Sequence, residues 1–266
     1  MKNILLLAHD DPGQESRLQC ALDVARAVEG HLNVIDIASP PLIAGDMGSG
    51  YAQAMVVDDA VAAEAANRAR IEPRLVSEGV PYSWTDVIGG KIEAVLSHTL
   101  LNDLVVAGSH GKAGETSRFD IAGRLVTSAG RPVLAVPHQI RSMNLAGTAI
   151  VAWDGSQPAD AALRAAIPLL RLASKVIIVT VGGDPMRGTL EQAAAYCSRH
   201  DLAVEAEILP AGFDRIYRTI LLFAKGAGAS WIVMGAFGHS RLTEAIFGGV
   251  TRSMLAEAEM PLFLAV

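Results

Sequence analysis

Residues Trp231 to Leu255 read W-I-V-M-G-A-F-G-H-S-R-L-T-E-A-I-F-G-G-V-T-R-S-M-L. Trp231 to Met234 is an apolar run of the length of a buried strand. Gly235 and Gly238 break it, Gly248 and Gly249 follow ten residues later, and Val250 to Leu255 is spaced as a helix. A glycine turn between strand and helix is where an α/β protein holds phosphate. The free N–H groups and the positive end of the helix dipole face the anion, and glycine lets the backbone come close. The spacing G-x2-G-x9-G is therefore a candidate phosphate loop, to be weighed against simple turn glycines.

Upstream of this stretch, strands and helices alternate. The predicted strands are Ile4–Ala8, Leu32–Ile37, Tyr82–Ile88, Leu104–Ala107 and Pro132–Val136, with helices over Glu15–Glu29 and Lys91–Leu101. Ser39 to Gly50 is rich in Pro and Gly, and Tyr51 to Val76 is Ala-rich and helical. The Ser39–Val76 region reads as a helical hairpin covering the sheet, with a lid or a partner-binding helix as the alternative.

The pattern then repeats. Strands are expected over Ala149–Trp153, Val176–Val181, Val204–Leu209, Trp231–Met234 and Pro261–Val266, and helices over Ala159–Leu172, Thr189–His200 and Arg215–Gly226. Ser156 suits an N-cap, Pro158 a first turn, and Pro168 should kink or shorten its helix. Without gaps, His9-Asp10-Asp11 aligns with Asp154-Gly155-Ser156 and Leu18 with Leu163; separately, Arg131 to Val136 matches Met260 to Ala265. This organisation is an α/β chain of two doubly wound, Rossmann-like domains, over residues 1–140 and 147–266, each with a five-stranded, mostly parallel sheet. His138 to Gly147 is the linker.

The glycine spacing, on this strand, resembles the nucleotide motif of the universal stress protein family, in which a Ser or Thr follows the third glycine. Gly249 stands at that last position here. The resemblance extends over nearly the whole chain as two family domains in tandem, strong in the C-terminal half and weaker in the N-terminal half. It implies an adenine nucleotide such as ATP, with or without Mg2+, as ligand. The family's strand-one Asp falls on Asp154, preceded by Ala152 and Trp153, and its adenine-side Val on Val181. Met234, Gly235, Phe237 and Gly238 take the first part of the phosphate loop, and Gly248, Gly249, Val250 and Thr251 the second. Thr251 offers a hydroxyl two residues beyond Gly249. The resemblance also implies that the last strands, Val133–Val136 and Leu262–Val266, pair, making the chain an internal pseudo-dimer.

In the N-terminal half Gly108 and Gly111 persist in G-S-H-G, but Ile121 takes the place of the third glycine and His9 that of the Asp. That half reads as a degenerate site. Trp153, taken alone, reads as core, and Asp154 as a capping residue. No His or Cys pair near His9, His110 or His239 has zinc-ligand spacing. Neither a G-x-S-x-G elbow nor a G-x4-G-K-[ST] loop occurs, so rapid phosphoryl transfer has no visible machinery.

Composition narrows the partners. A net charge of −6 argues against nucleic acid and anionic membranes. No apolar run approaches the roughly 18 residues of a membrane span, and Met1 to Asp10 is a first strand, not a signal peptide. Cys20 and Cys197, in different halves, suggest a reducing cytoplasm. The chain is expected to be an adenine-nucleotide-binding stress-response protein that senses or signals. Its alternatives are a slow ATPase and a partner-binding module that has lost its ligand. An unidentified protein partner and a homodimer of the tandem chain stay open.

Overall fold

The structure, a computed structural model, describes residues 1–39, 50–109, 121–185, 188–211, 215–237 and 249–266. The N-terminal half runs β1 (Asn3–Ala8), α1 (Gln14–Ala27), β2 (His31–Ala38), α2 (Gly50–Glu78), β3 (Tyr82–Ile88), α3 (Lys91–Ser97), β4 (Leu104–Gly108), α4 (Ile121–Ser128) and β5 (Val133–Val136). The C-terminal half runs β6 (Thr148–Ala152), α5 (Gln157–Leu170), β7 (Lys175–Val181), α6 (Leu190–Ser198), β8 (Glu205–Leu209), α7 (Ile216–Gly226), β9 (Ala229–Gly235), α8 (Gly249–Glu257) and β10 (Leu262–Ala265).

All ten strands form one sheet in the order β3-β2-β1-β4-β5-β10-β9-β6-β7-β8. Within each half the strands are parallel. The single antiparallel contact is β5 with β10, which pairs Leu134 with Phe263 and Val133 with Leu264. The expected pseudo-dimer is therefore real, and its seam buries Val133, Leu134, Phe263 and Leu264 completely. Each such side chain contributes about 2 kcal/mol of transfer free energy, and the pairing removes two apolar strand edges from solvent. Antiparallel joining also points the carboxyl ends of the two sets of strands in opposite directions.

Central strands are apolar on both faces because helices cover both. Ile4, Leu6 and Ala8 face the layer that holds α1 and α5, whereas Leu5 and Leu7 face the layer of α3, α4, α7 and α8. The linker is strapped down: the Ser16 hydroxyl donates to the His138 carbonyl at 2.6 Å, and the Met143 N–H donates to Asp23 at 2.8 Å.

Two expectations need correction. The Ser39–Val76 region is not a hairpin among the described residues. It is a single 29-residue helix, α2, unbroken because no Gly or Pro interrupts 51–72 and Pro73 lies near its end. Helix α3 stops at Ser97 and not at Leu101. The Asn102 side chain donates to the His98 carbonyl at 2.8 Å, and Leu101 turns the chain in the left-handed region at φ +62°. Helix α4 was not anticipated, although Ala122, Leu125 and Val126 form its buried stripe. The expected shortening at Pro168 fits: α5 ends at Leu170, two residues beyond it and two short of the expected Leu172.

Candidate functional site

In each half the strand order reverses beside the first strand, and ligands of open parallel sheets bind at the carboxyl ends there. In the C-terminal half this is the crevice between β6 and β9. Asp154 follows β6 and is exposed. Its Oδ1 accepts the Ser156 N–H at 3.0 Å, and the Ser156 hydroxyl accepts the Ala159 N–H, so Ser156 is the N-cap of α5 as expected. Among the described residues the other carboxylate oxygen of Asp154 has no hydrogen bond, and the residue is exposed.

Gly235 ends β9. A Cβ there would stand 2.6 Å from the Pro158 carbonyl carbon and 2.9 Å from Ala159 Cα. Close packing of α5 against β9 requires glycine at this position, independently of any ligand. Phe237 holds φ +56°, and its N–H donates to the Thr251 hydroxyl at 3.2 Å. Thr251 is buried in the first turns of α8, so its hydroxyl ties the two ends of the glycine loop together. Gly249 opens α8, and among the described residues a Cβ added to it meets nothing within 4 Å. Val250 and Ala152 are half-buried, and Met234 is buried. Gly238, Gly248, His239 and Ser240 lie outside the described residues, as do Gly111 and His110 of the N-terminal half.

The other wall is the connection after β7. Val181 is half-buried at the strand end, followed by Gly182 at φ +89° and Gly183 at φ +137°. Trp153 is core, as its residue type suggested: its ring is buried, and its Nε1–H donates to the Gly188 carbonyl at 2.6 Å. Gly188 sits at φ +60°, and a Cβ added to it would stand 3.3 Å from Gly155 Cα. The Thr180 hydroxyl donates to the Trp153 carbonyl, and Asp184 accepts the Leu190 N–H at 2.7 Å. The β6 turn and the β7 connection thus form one braced wall. Asp154, Val181, Gly235 and Thr251 come to the same edge. The Trp153–Gly188 clamp was invisible in sequence, because it joins residues 35 apart through a backbone carbonyl.

The N-terminal counterpart has the same register and different chemistry. By strand pairing, His9, Asp36 and Gly108 stand where Asp154, Thr180 and Gly235 stand. A Cβ on Gly108 would meet Arg17 Nη1 at 3.3 Å. Arg17 is buried, donates to the Leu7 and His9 carbonyls, and forms a two-pronged pair with Asp11. Burial alone would raise the Asp11 pKa, but the bond to Arg17 outweighs it and holds the carboxyl low. Helix α2 covers the edge. Its Asn67 exchanges amide bonds with Gln14 at 2.8 and 3.1 Å and reaches Asp36 at 3.3 Å. Glu64 lies 3.3 Å from His9 Nδ1, and burial first, with the neighbouring Glu64 carboxyl second, pushes the Asp36 carboxyl up to about 8.

Residues 147–265 match the sequence model of the Universal stress protein family. Universal stress protein C of Escherichia coli is 28% identical over 138 residues, which is 51% of this chain and 94% of that protein. A universal stress protein of Synechocystis is 26% identical over 162 residues, 57% of this chain and 54% of its own length. The chain therefore spans only about half of that longer relative. A universal stress protein from Archaeoglobus fulgidus superposes along the whole molecule with a TM-score of 0.73, covering 98% of this chain and 97% of its own, at 16% identity. That likeness is one of fold, and it extends over both halves.

Proposed function

Because the chain belongs to the universal stress protein family through its C-terminal half, we propose that this half binds an adenine nucleotide such as ATP and acts as a stress sensor or signalling module. The observation that carries the reading is the convergence of Asp154, Val181, Gly235 and the Phe237–Thr251 tie on one open carboxyl edge. These residues suit the ligand. The exposed carboxylate of Asp154 can accept from ribose hydroxyls, and the half-buried Val181 with the unhindered backbone of Gly182 and Gly183 can flank a base. The glycine loop running into α8 supplies N–H groups at a helix start for phosphates. Gly249 leaves that helix start without the hydroxyl that the family pattern supplies.

Nucleotide is held and not rapidly consumed in this reading. No lysine-bearing phosphate loop accompanies the site, so any hydrolysis is slow. Mg2+ would arrive with the phosphates. The N-terminal edge, closed by α2, takes no nucleotide in the resting molecule. We assign the protein to the cytoplasm: Cys20 and Cys197 are unpaired and buried, and burial pushes their thiols up to about 12 and about 11, away from reactive thiolate. Among the described residues no helix is long and apolar enough to cross a membrane.

Mass spectrometry of small molecules released from freshly purified, denatured protein, with calorimetric titration of ATP, tests the reading. One adenine nucleotide per chain, lost in Asp154→Ala, is expected. Absence of nucleotide together with no thermal shift in millimolar ATP would overturn it and favour a partner-binding module.

A further inference from the structure

We propose that β8, the last strand of the sheet in the C-terminal half, is a docking edge for an extended, basic segment of a partner protein. The segment would join the sheet as a further strand. The strand order ends on β8, whose pairing among the described residues is with β7 alone. The Leu209 carbonyl accepts the Gly182 N–H at 2.9 Å, so Leu209, and with it Glu207 and Glu205, turns its backbone groups toward β7. Alternation sends the N–H and C=O groups of Ala206 and Ile208 to the open side.

The side chains alternate as well. Leu209 is buried in the layer of α7, so Glu205 and Glu207 stand on that face, and Ala206 and Ile208 on the face of α6. All four are exposed, Ile208 to 54%. The opposite end of the sheet is guarded. Helix α2 lies along β3, where Arg68 stacks 5.3 Å from the Trp84 ring and bonds Asp86, and Tyr82 donates to Glu72. Among the described residues no helix shields β8 in this way.

The charge pattern selects the occupant. Glu205 is paired with Lys175 of β7 at 2.9 Å, whereas Glu207 has no ion pair among the described residues. In an added antiparallel strand, the residues opposite Ala206 and Ile208 exchange backbone hydrogen bonds with them. The residue opposite Glu207 then falls in a non-hydrogen-bonded pair, where side chains stand closest. A Lys or Arg there meets the carboxylate, and apolar residues on either side of it meet Ala206 and Ile208. The partner segment therefore alternates cationic and apolar residues. Pro210 offers no N–H at the next outward position, so the added ladder stops there.

The same acids reject a second copy of this chain. Two β8 edges paired about Glu207 would set that carboxylate against its own counterpart. Pairing about Ala206 would set Glu205 against Glu207. Charges on an open edge thus exclude the strand's own sequence and admit a basic one.

The probe is a capped peptide of alternating Val and Lys, with a Val–Glu peptide as its charge-reversed counterpart. The readout is residue-resolved amide exchange of the full chain. In millimolar Val–Lys peptide, exchange at Ala206 and Ile208 should slow by about fivefold or more, while Glu205 and Glu207, already bonded to β7, change little. Ile208→Pro deletes an outward N–H without touching the β7 ladder, and the protection at Ala206 should disappear. Glu207→Lys leaves the backbone alone; it should weaken Val–Lys binding by about threefold to tenfold and strengthen Val–Glu binding. Unchanged exchange at both residues in millimolar peptide would overturn the proposal. So would equal affinity of wild type and Glu207→Lys for the Val–Lys peptide. A homodimer in sedimentation that Ile208→Pro abolishes would also overturn it, because the edge would then belong to a second copy.

Discussion

The two halves are one topology used twice, with opposite outcomes at equivalent positions. The first strand ends in an exposed Asp154 in one half and in His9 beneath a helix in the other. The second carries a neutral Thr180 bonded to a carbonyl, against a buried Asp36 that accepts from Asn67. What separates them is the connection between the second and third strands. Among the described residues nine-residue α6 does not cover the C-terminal edge, whereas 29-residue α2, about 44 Å of helix, reaches over the N-terminal edge. Strand order supplies a candidate ligand edge, and the crossover segment decides whether the edge is accessible.

The sharpest way to break this comparison is at the paired glycines. Gly235→Ala forces a Cβ into the backbone of Pro158 and Ala159 and should cost about 3 kcal/mol, whereas Gly108→Ala meets only the movable end of Arg17 and should cost under about 1 kcal/mol. Denaturant unfolding followed by exchange in each half measures both, and equal costs would contradict the packing difference.

Next is the acid at the open edge. Asp154→Ala should weaken nucleotide binding by about 10- to 100-fold, the worth of a hydrogen bond to a charged group, while His9→Ala leaves it unchanged. Isothermal titration of both variants decides, and sensitivity to His9 would place nucleotide in the wrong half.

A smaller effect is expected at the clamp. Trp153→Phe keeps the buried ring and removes the bond to the Gly188 carbonyl, at a stability cost of about 1 kcal/mol. Faster amide exchange confined to 181–190 would accompany it, and unchanged exchange there would show that the clamp does not brace the wall.

The mildest change is a gain. Gly249→Ser has open space for its side chain and restores a hydroxyl at the start of α8, so ATP should bind a few-fold more tightly, by roughly 1 kcal/mol for one added hydrogen bond. Titration showing weaker binding would mean that the bare glycine N–H is the better phosphate contact.

Much of this was legible in the residues themselves. Apolar runs such as Ile4–Ala8 and Trp231–Met234 can only be strands buried on both faces, and their alternation with helical stripes dictates a parallel sheet. The match of Arg131–Val136 with Met260–Ala265 announced the duplication, whereas the seam between those strands was implied by the family resemblance and not by the residues alone. Ser156 announced the start of α5, because a cap is a local bond between neighbours in sequence.

Tertiary structure decided the rest. It turned Trp153 inward onto a carbonyl, used the Thr251 hydroxyl to hold Phe237, and made Gly235 a packing glycine. It also set Glu64 of α2 against Asp36 and His9. Along the chain those are three ordinary polar residues, each of which would be solvated on its own. Their burial arises only where a distant helix excludes water from the end of a sheet, and a charge's environment is a property of the space around it and not of its neighbours in sequence.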